Sequence, residues 1–152
     1  MYINHQGIGT GRGLAYSLAA GLIQPIGHQA SWGFYNRLAK QTPGVQGQAD
    51  VCGAGDHAIG VFVDCSPKGD SATVETTGFE WVTGADADIA AAAVGNYVTT
   101  GADGKLVRIA GATATPATNV PTLAEVVAGC WMIDAIDAVN KTFLIGLDSD
   151  IG

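Results

Sequence analysis

The chain has 152 residues, 47% of them hydrophobic and 14% charged, and its 14 acidic against 7 basic side chains leave a formal net charge of −7. That length holds one domain with a real core plus a non-globular terminus. The charge disfavours a nucleic-acid partner, because affinity for phosphate backbones comes from clustered Lys and Arg and the sequence has no such cluster.

The amino terminus contains "GIGTGRG", residues 7–13. A dinucleotide fingerprint starting at Gly7 or Gly9 would need a third glycine where Arg12 or Leu14 stands, and only Met1–Gln6 precede it, too short and polar for a buried strand. No Gly-Lys-Ser/Thr follows, which removes the Walker loop as well. Four glycines in seven residues raise the entropy lost on ordering. Residues 1–27 are therefore expected to be an extended arm and residues 28–152 the folded domain. Leu14–Ile23 has helix-compatible residues but weak helical signals. The apolar run Leu14–Ile26 is too short for a bilayer and lacks a charged start and a cleavage site, so the expectation is cytoplasmic folding with no membrane partner.

From Trp32 onward the texture is that of an all-β domain: short alternating runs broken by Gly, Asp and Pro, rich in Ala, Val and Gly. "AIGVFVDC" places Ile59, Val61, Val63 and Cys65 on one face, and "SPKGD" reads as the hairpin turn into "SATVETTG". Gly78 marks a bend before "FEWV". "NYVTTGADGKLVRIAG" predicts two strands around Asp103-Gly104, which supplies the positive φ of a tight turn. The segment "AGATATPATNVPT" is loop by composition, and Thr122 with Glu125 has capping-box spacing for one helical turn. "GCWMIDAI" and "KTFLIGLD" predict a last hairpin, with Trp131/Ile133 and Phe143/Ile145/Leu147 facing inward.

Candidate chemistry is sparse. His5, His28 and His57 have no second His at ligand spacing, and Cys52, Cys65 and Cys130 include no C-x-x-C pair, so neither a metal, a disulfide framework nor any other cofactor is expected. Asp86/Asp88 and Asp148/Asp150 look like halves of a calcium loop without its glycine and glutamate. No serine or cysteine sits in a nucleophile context, so the protein is not expected to be an enzyme. Most aromatics fall in strands and read as core, whereas Trp32, Phe34 and Tyr35 are the least periodic group and are candidates for a subunit interface.

Gly55-Asp56, Ile59-Gly60-Val61, Thr73–Gly78, Ile89 to Val98, Asp103-Gly104-Lys105 and Ala128 to Leu147 occur in an order that resembles the small capsid decoration, or cement, proteins of tailed bacteriophages. The resemblance covers roughly His28 to the carboxyl terminus and rests on the order of the elements, each of which is common alone. It implies a small β-barrel or β-tulip on the outer surface of the virion, usually trimeric and sometimes dimeric, binding the major capsid protein to brace the expanded head. The extra amino-terminal segment departs from that pattern. On this reading it is an arm that grips the capsid, with Tyr2, Ile3, Ile8, Leu14 and Tyr16 as apolar anchors and Arg12 as the one positive charge before Arg37. The competing reading makes the segment a strand and turn that complete the barrel. Two other functions stay open: a tail or fibre-attachment subunit, and a carbohydrate-binding or hydrolytic barrel, for which Trp81, Asp86 and Asp88 are the best residues.

Overall fold

A computed structural model describes residues 13–147. Strands β1 (Gly13–Leu18), β2 (Leu38–Gln41), β3 (Gln48–Val51), β4 (Gly60–Cys65) and β5 (Ser71–Glu75) close a barrel in the order β1-β3-β2-β4-β5. Closure depends on β1, which runs parallel to β3 and antiparallel to β5, with Gly13 opposite Glu75 and Ser17 opposite both Ser71 and Gln48. This corrects the boundary expected at 27/28. Gly13–Leu18 is barrel wall, not arm or helix, because without it the ladder edges of β3 and β5 would lack a partner. Leu18 and Leu22 are buried with the barrel core.

The barrel interior holds Phe62, Val74, Trp32 and Cys65 beside Ala39, Ala49 and Ala72. A five-stranded barrel is narrow, and the alanines on three of its strands leave room for the two large aromatics.

The rest of the described chain builds a second lobe from β6 (Phe79–Thr83), α1 (Asp86–Ala91), β7 (Tyr97–Thr100), β8 (Leu106–Arg108), α2 (Leu123–Ala128), β9 (Cys130–Met132), β10 (Ala135–Asp137) and β11 (Thr142–Gly146). Its strands form two sheets, β10-β11-β6 and β8-β7-β9. Chain continuity joins β9 to β10, and on the other side Gly84 bridges to Leu106 while the Ala85 N–H donates to the Leu106 carbonyl at 2.9 Å. Between the sheets lies a second core of Val82, Val98, Leu106, Trp131, Ile133, Phe143 and Ile145. Leu38 and Val61 enter this core, whereas their neighbours Ala39 and Phe62 enter the barrel. Both faces of the first residues of β2 and β4 are thus buried, and the period-2 alternation of a strand divides one sequence between two cores.

The "SPKGD" turn, the Asp103-Gly104 hairpin (φ 56° and 68°) and the inward-facing residues of β9 and β11 appear as the sequence predicts. Three local features differ. A bulge between Phe62 and Asp64 shifts the register of β4, so Cys65 joins Phe62 in the barrel instead of sharing a face with Val61. "GCWMIDAI" divides, its first part pairing with β7 and its second with β11. Helix α1 was not anticipated, and α2 runs past the one turn its capping box suggested. The loop before α2 is irregular as expected, but it is tethered: Asn119 Oδ1 accepts from the Tyr97 N–H at 2.7 Å and its amide donates to the Ile109 carbonyl at 3.0 Å.

Candidate binding surface

The segment between β1 and β2 carries the three aromatics expected at a subunit interface, and the structure places them differently. Trp32 is 3% exposed, with its ring edge-to-face against Phe34, Tyr35 and Phe62 at centroid distances of 5.5, 5.1 and 5.1 Å. Phe34 and Tyr35 are half-buried against the same core. The Trp32 ring is taken up by the barrel core, while Phe34 and Tyr35 keep part of their surface exposed. Their polar tips hold the preceding loop: the Trp32 indole N–H donates to the Leu22 carbonyl at 3.0 Å, and the Tyr35 hydroxyl donates to the Gln29 carbonyl.

That loop, residues 19–31, is also clasped to the β4–β5 turn. The Leu18 N–H donates to Asp70 O at 2.9 Å, the Gln24 N–H to Gly69 O at 2.8 Å, and the Gln29 side-chain amide to Pro67 O. Gly69 has φ +75°, and a Cβ there would lie 1.8 Å from the Gln24 carbonyl oxygen, so the clasp requires glycine. Outward, the loop presents Ile23 (50% exposed), Pro25 and Ile26 (78%). No Asp, Glu, Lys or Arg occurs from Ala19 to Ser31. The result is a braced, uncharged apolar ridge. Proline and two separated isoleucines gave no periodic signal by which the sequence could have revealed it.

Of the arm residues, Leu14 is partly exposed on β1 and Tyr16 packs against the barrel core; Tyr2, Ile3, Ile8 and Arg12 lie outside the described residues, as do Asp148 and Asp150. The hydrolase candidates do not converge. Asp86 is exposed and paired with Lys141 at 3.1 Å, Asp88 is buried beside Arg108, and Trp81 lies on β6 opposite Leu144. Burial raises the Asp88 carboxyl above its ordinary range, opposed by a backbone hydrogen bond from Arg108 and by its charge. A cavity of about 270 Å³ between β7 and α2 is lined by Gly55, Thr99, Thr100, Ala124, Glu125 and Ala128. Its carboxylate is committed to the α2 cap, where Glu125 Oε1 accepts from the Thr122 N–H at 2.9 Å and from the Thr122 hydroxyl at 2.8 Å. Among the described residues, no three His, Cys, Asp or Glu side chains gather as metal ligands would.

Burial pushes the Cys52 thiol up to about 12, and it also raises Cys65. Glu80 is pushed up to about 7, first by burial and then by the charge of Glu75. These groups lie in the body of the protein and not on the ridge.

Among the described residues the fold is all-β and built on a small closed barrel, with two short α-helices. Neither a protein-family model nor a curated protein matches the chain. Among solved structures it is similar to the N base of the head fibre gp8.5 of bacteriophage phi29, at a TM-score of 0.48 and 17% identity over 90% of this chain and 93% of that one.

Proposed function

We propose that the protein is a structural subunit of a tailed-phage virion that binds the outer surface of the major capsid protein shell, self-associates as a trimer or dimer, and stabilises the expanded head without catalysing a reaction. The observation that carries this reading is the ridge formed by Ile23, Pro25 and Ile26, apolar and uncharged on a chain of net charge −7 and fixed from beneath by Trp32 and Gly69. A ridge already held in place loses little conformational freedom on docking, so its apolar area is not offset by ordering cost. The motif order from Gly55-Asp56 to the final hairpin supports the decoration class specifically. A ligand that binds the expanded shell and not its precursor stabilises it by mass action, and many copies multiply the effect.

The test uses purified heads lacking the protein, to which parent chain or Ile23→Ser/Ile26→Ser chain is added before cosedimentation and electron microscopy. Parent chain is expected as regular density outside the shell, and the double variant is expected to bind at least tenfold more weakly with an unchanged melting temperature. Absence of parent chain from the heads, or equal binding by the variant, overturns the proposal.

A further inference from the structure

The cavity of about 270 Å³ between β7 and α2 shares no residue with the ridge. Gly55, Ala124 and Ala128 give it small apolar walls, and its polar side chains are Thr99, Thr100 and Glu125. These groups have acceptors to spare and few donors. Thr99 is 7% exposed and its hydroxyl proton is used on the Gly129 carbonyl at 2.7 Å, which leaves the oxygen lone pairs. The α2 cap engages one oxygen of the Glu125 carboxylate, Oε1; among the described residues nothing donates to Oε2. Thr100 is 3% exposed, and its hydroxyl oxygen is buried with no hydrogen-bond partner. No Lys or Arg stands among the residues that line the cavity.

We propose that this cavity binds a primary ammonium group carried on an aliphatic stem, the chemistry of a lysine side chain or a free alkylamine. The inventory of donors and acceptors selects it. An ammonium offers three donors and no acceptor, which matches a carboxylate oxygen and hydroxyl oxygens that can still accept. Its charge complements Glu125, the one charged side chain in the lining, whereas a carboxylate or phosphate ligand would face Glu125 with no cation to offset the repulsion. The alanine walls cover the methylene stem, as apolar surfaces do for the long stems of basic side chains whose charged heads reach a polar group. The site goes beyond the proposed function and does not depend on it.

Nuclear magnetic resonance titration of the full chain tests it, with 1,5-diaminopentane and Nα-acetyl-lysine methylamide as probes and 1-pentanol and pentanoate as controls on the same stem. Both amines are expected to shift the amide resonances of Thr99, Thr100 and Glu125 saturably at millimolar concentration, and the controls to shift none. Binding by both amines supports a lysine side chain of a partner as the occupant, and binding by the diamine alone supports a free amine. Glu125→Gln removes the charge but retains an acceptor for the cap, so it is expected to weaken binding roughly tenfold with an unchanged melting temperature. Ala124→Leu, at an exposed helix position, fills the cavity with Glu125 intact and is expected to abolish binding. No saturable shift with either amine, equal binding of pentanol or pentanoate, or undiminished binding by either variant overturns the inference.

Discussion

Gly44 and Gly69 share φ +75°, yet a side chain at Gly44 would meet nothing within 4 Å, whereas one at Gly69 would collide with the Gln24 carbonyl. Gly44→Ala is thus expected to cost about 1 kcal/mol, the strain of a left-handed alanine. Gly69→Ala adds loss of the loop clasp and is expected to cost about 3 kcal/mol; urea denaturation of the two variants compares them directly. Glu80 contributes to pH dependence at the same scale. Its carboxyl titrates near 4.5 in the unfolded chain and about 7 in the folded one, so between those values the folded state binds more protons. Its contribution is fully present below about pH 4.5 and is lost as pH rises through about 7. Glu80→Gln is expected to raise stability by about 2 kcal/mol at pH 8 and by almost nothing at pH 4, as read from melting temperatures across that range.

Among the elements, β1 and α2 make separable predictions. Since β1 closes the barrel and Leu18 and Leu22 are core, a chain lacking residues 2–22 is expected not to fold, whereas one lacking residues 2–11 keeps every described strand. Far-ultraviolet circular dichroism distinguishes the two truncations. For α2, Thr122→Ala removes the side-chain half of the capping box, the bond from the Glu125 N–H to the Thr122 hydroxyl, and leaves the backbone Thr122 N–H to Glu125 half in place; it is expected to cost about 1 kcal/mol. Faster amide exchange confined to residues 123–129 would mark that loss as local. The capping box was legible because its spacing is a local rule. The role of β1 was not, since its partners Gln48 and Ser71 are distant in sequence and Gly13 continues a glycine-rich run that favours disorder on its own.

At the scale of the whole molecule, the two cores are coupled through shared strands. Leu38/Ala39 and Val61/Phe62 divide between them, so neither core can come apart while β2 and β4 stay intact. A single cooperative transition is expected, with tryptophan fluorescence (Trp32 in the barrel, Trp131 in the second lobe) and calorimetry giving the same midpoint. The three buried thiols report the same event. Each is expected to react with a thiol reagent only on global unfolding and at a common rate.

The sequence by itself determined the all-β class, the positions of the hairpin turns, the α2 cap and the inward residues of β9 and β11, because these follow from short-range rules of periodicity, positive-φ glycine and capping. The motifs Ile59-Gly60-Val61 and Asp103-Gly104-Lys105 were readable for the same reason. Tertiary structure decided what no local rule contains: which core each face of β2 and β4 serves, that Gly13–Leu18 is wall and not arm, and that Trp32, Phe34 and Tyr35 point inward to support a loop. It also decided where the uncovered apolar surface lies. Exposure is a property of what packs against a residue, and Ile26 or Leu123 is an ordinary hydrophobic letter until the fold leaves it without a neighbour.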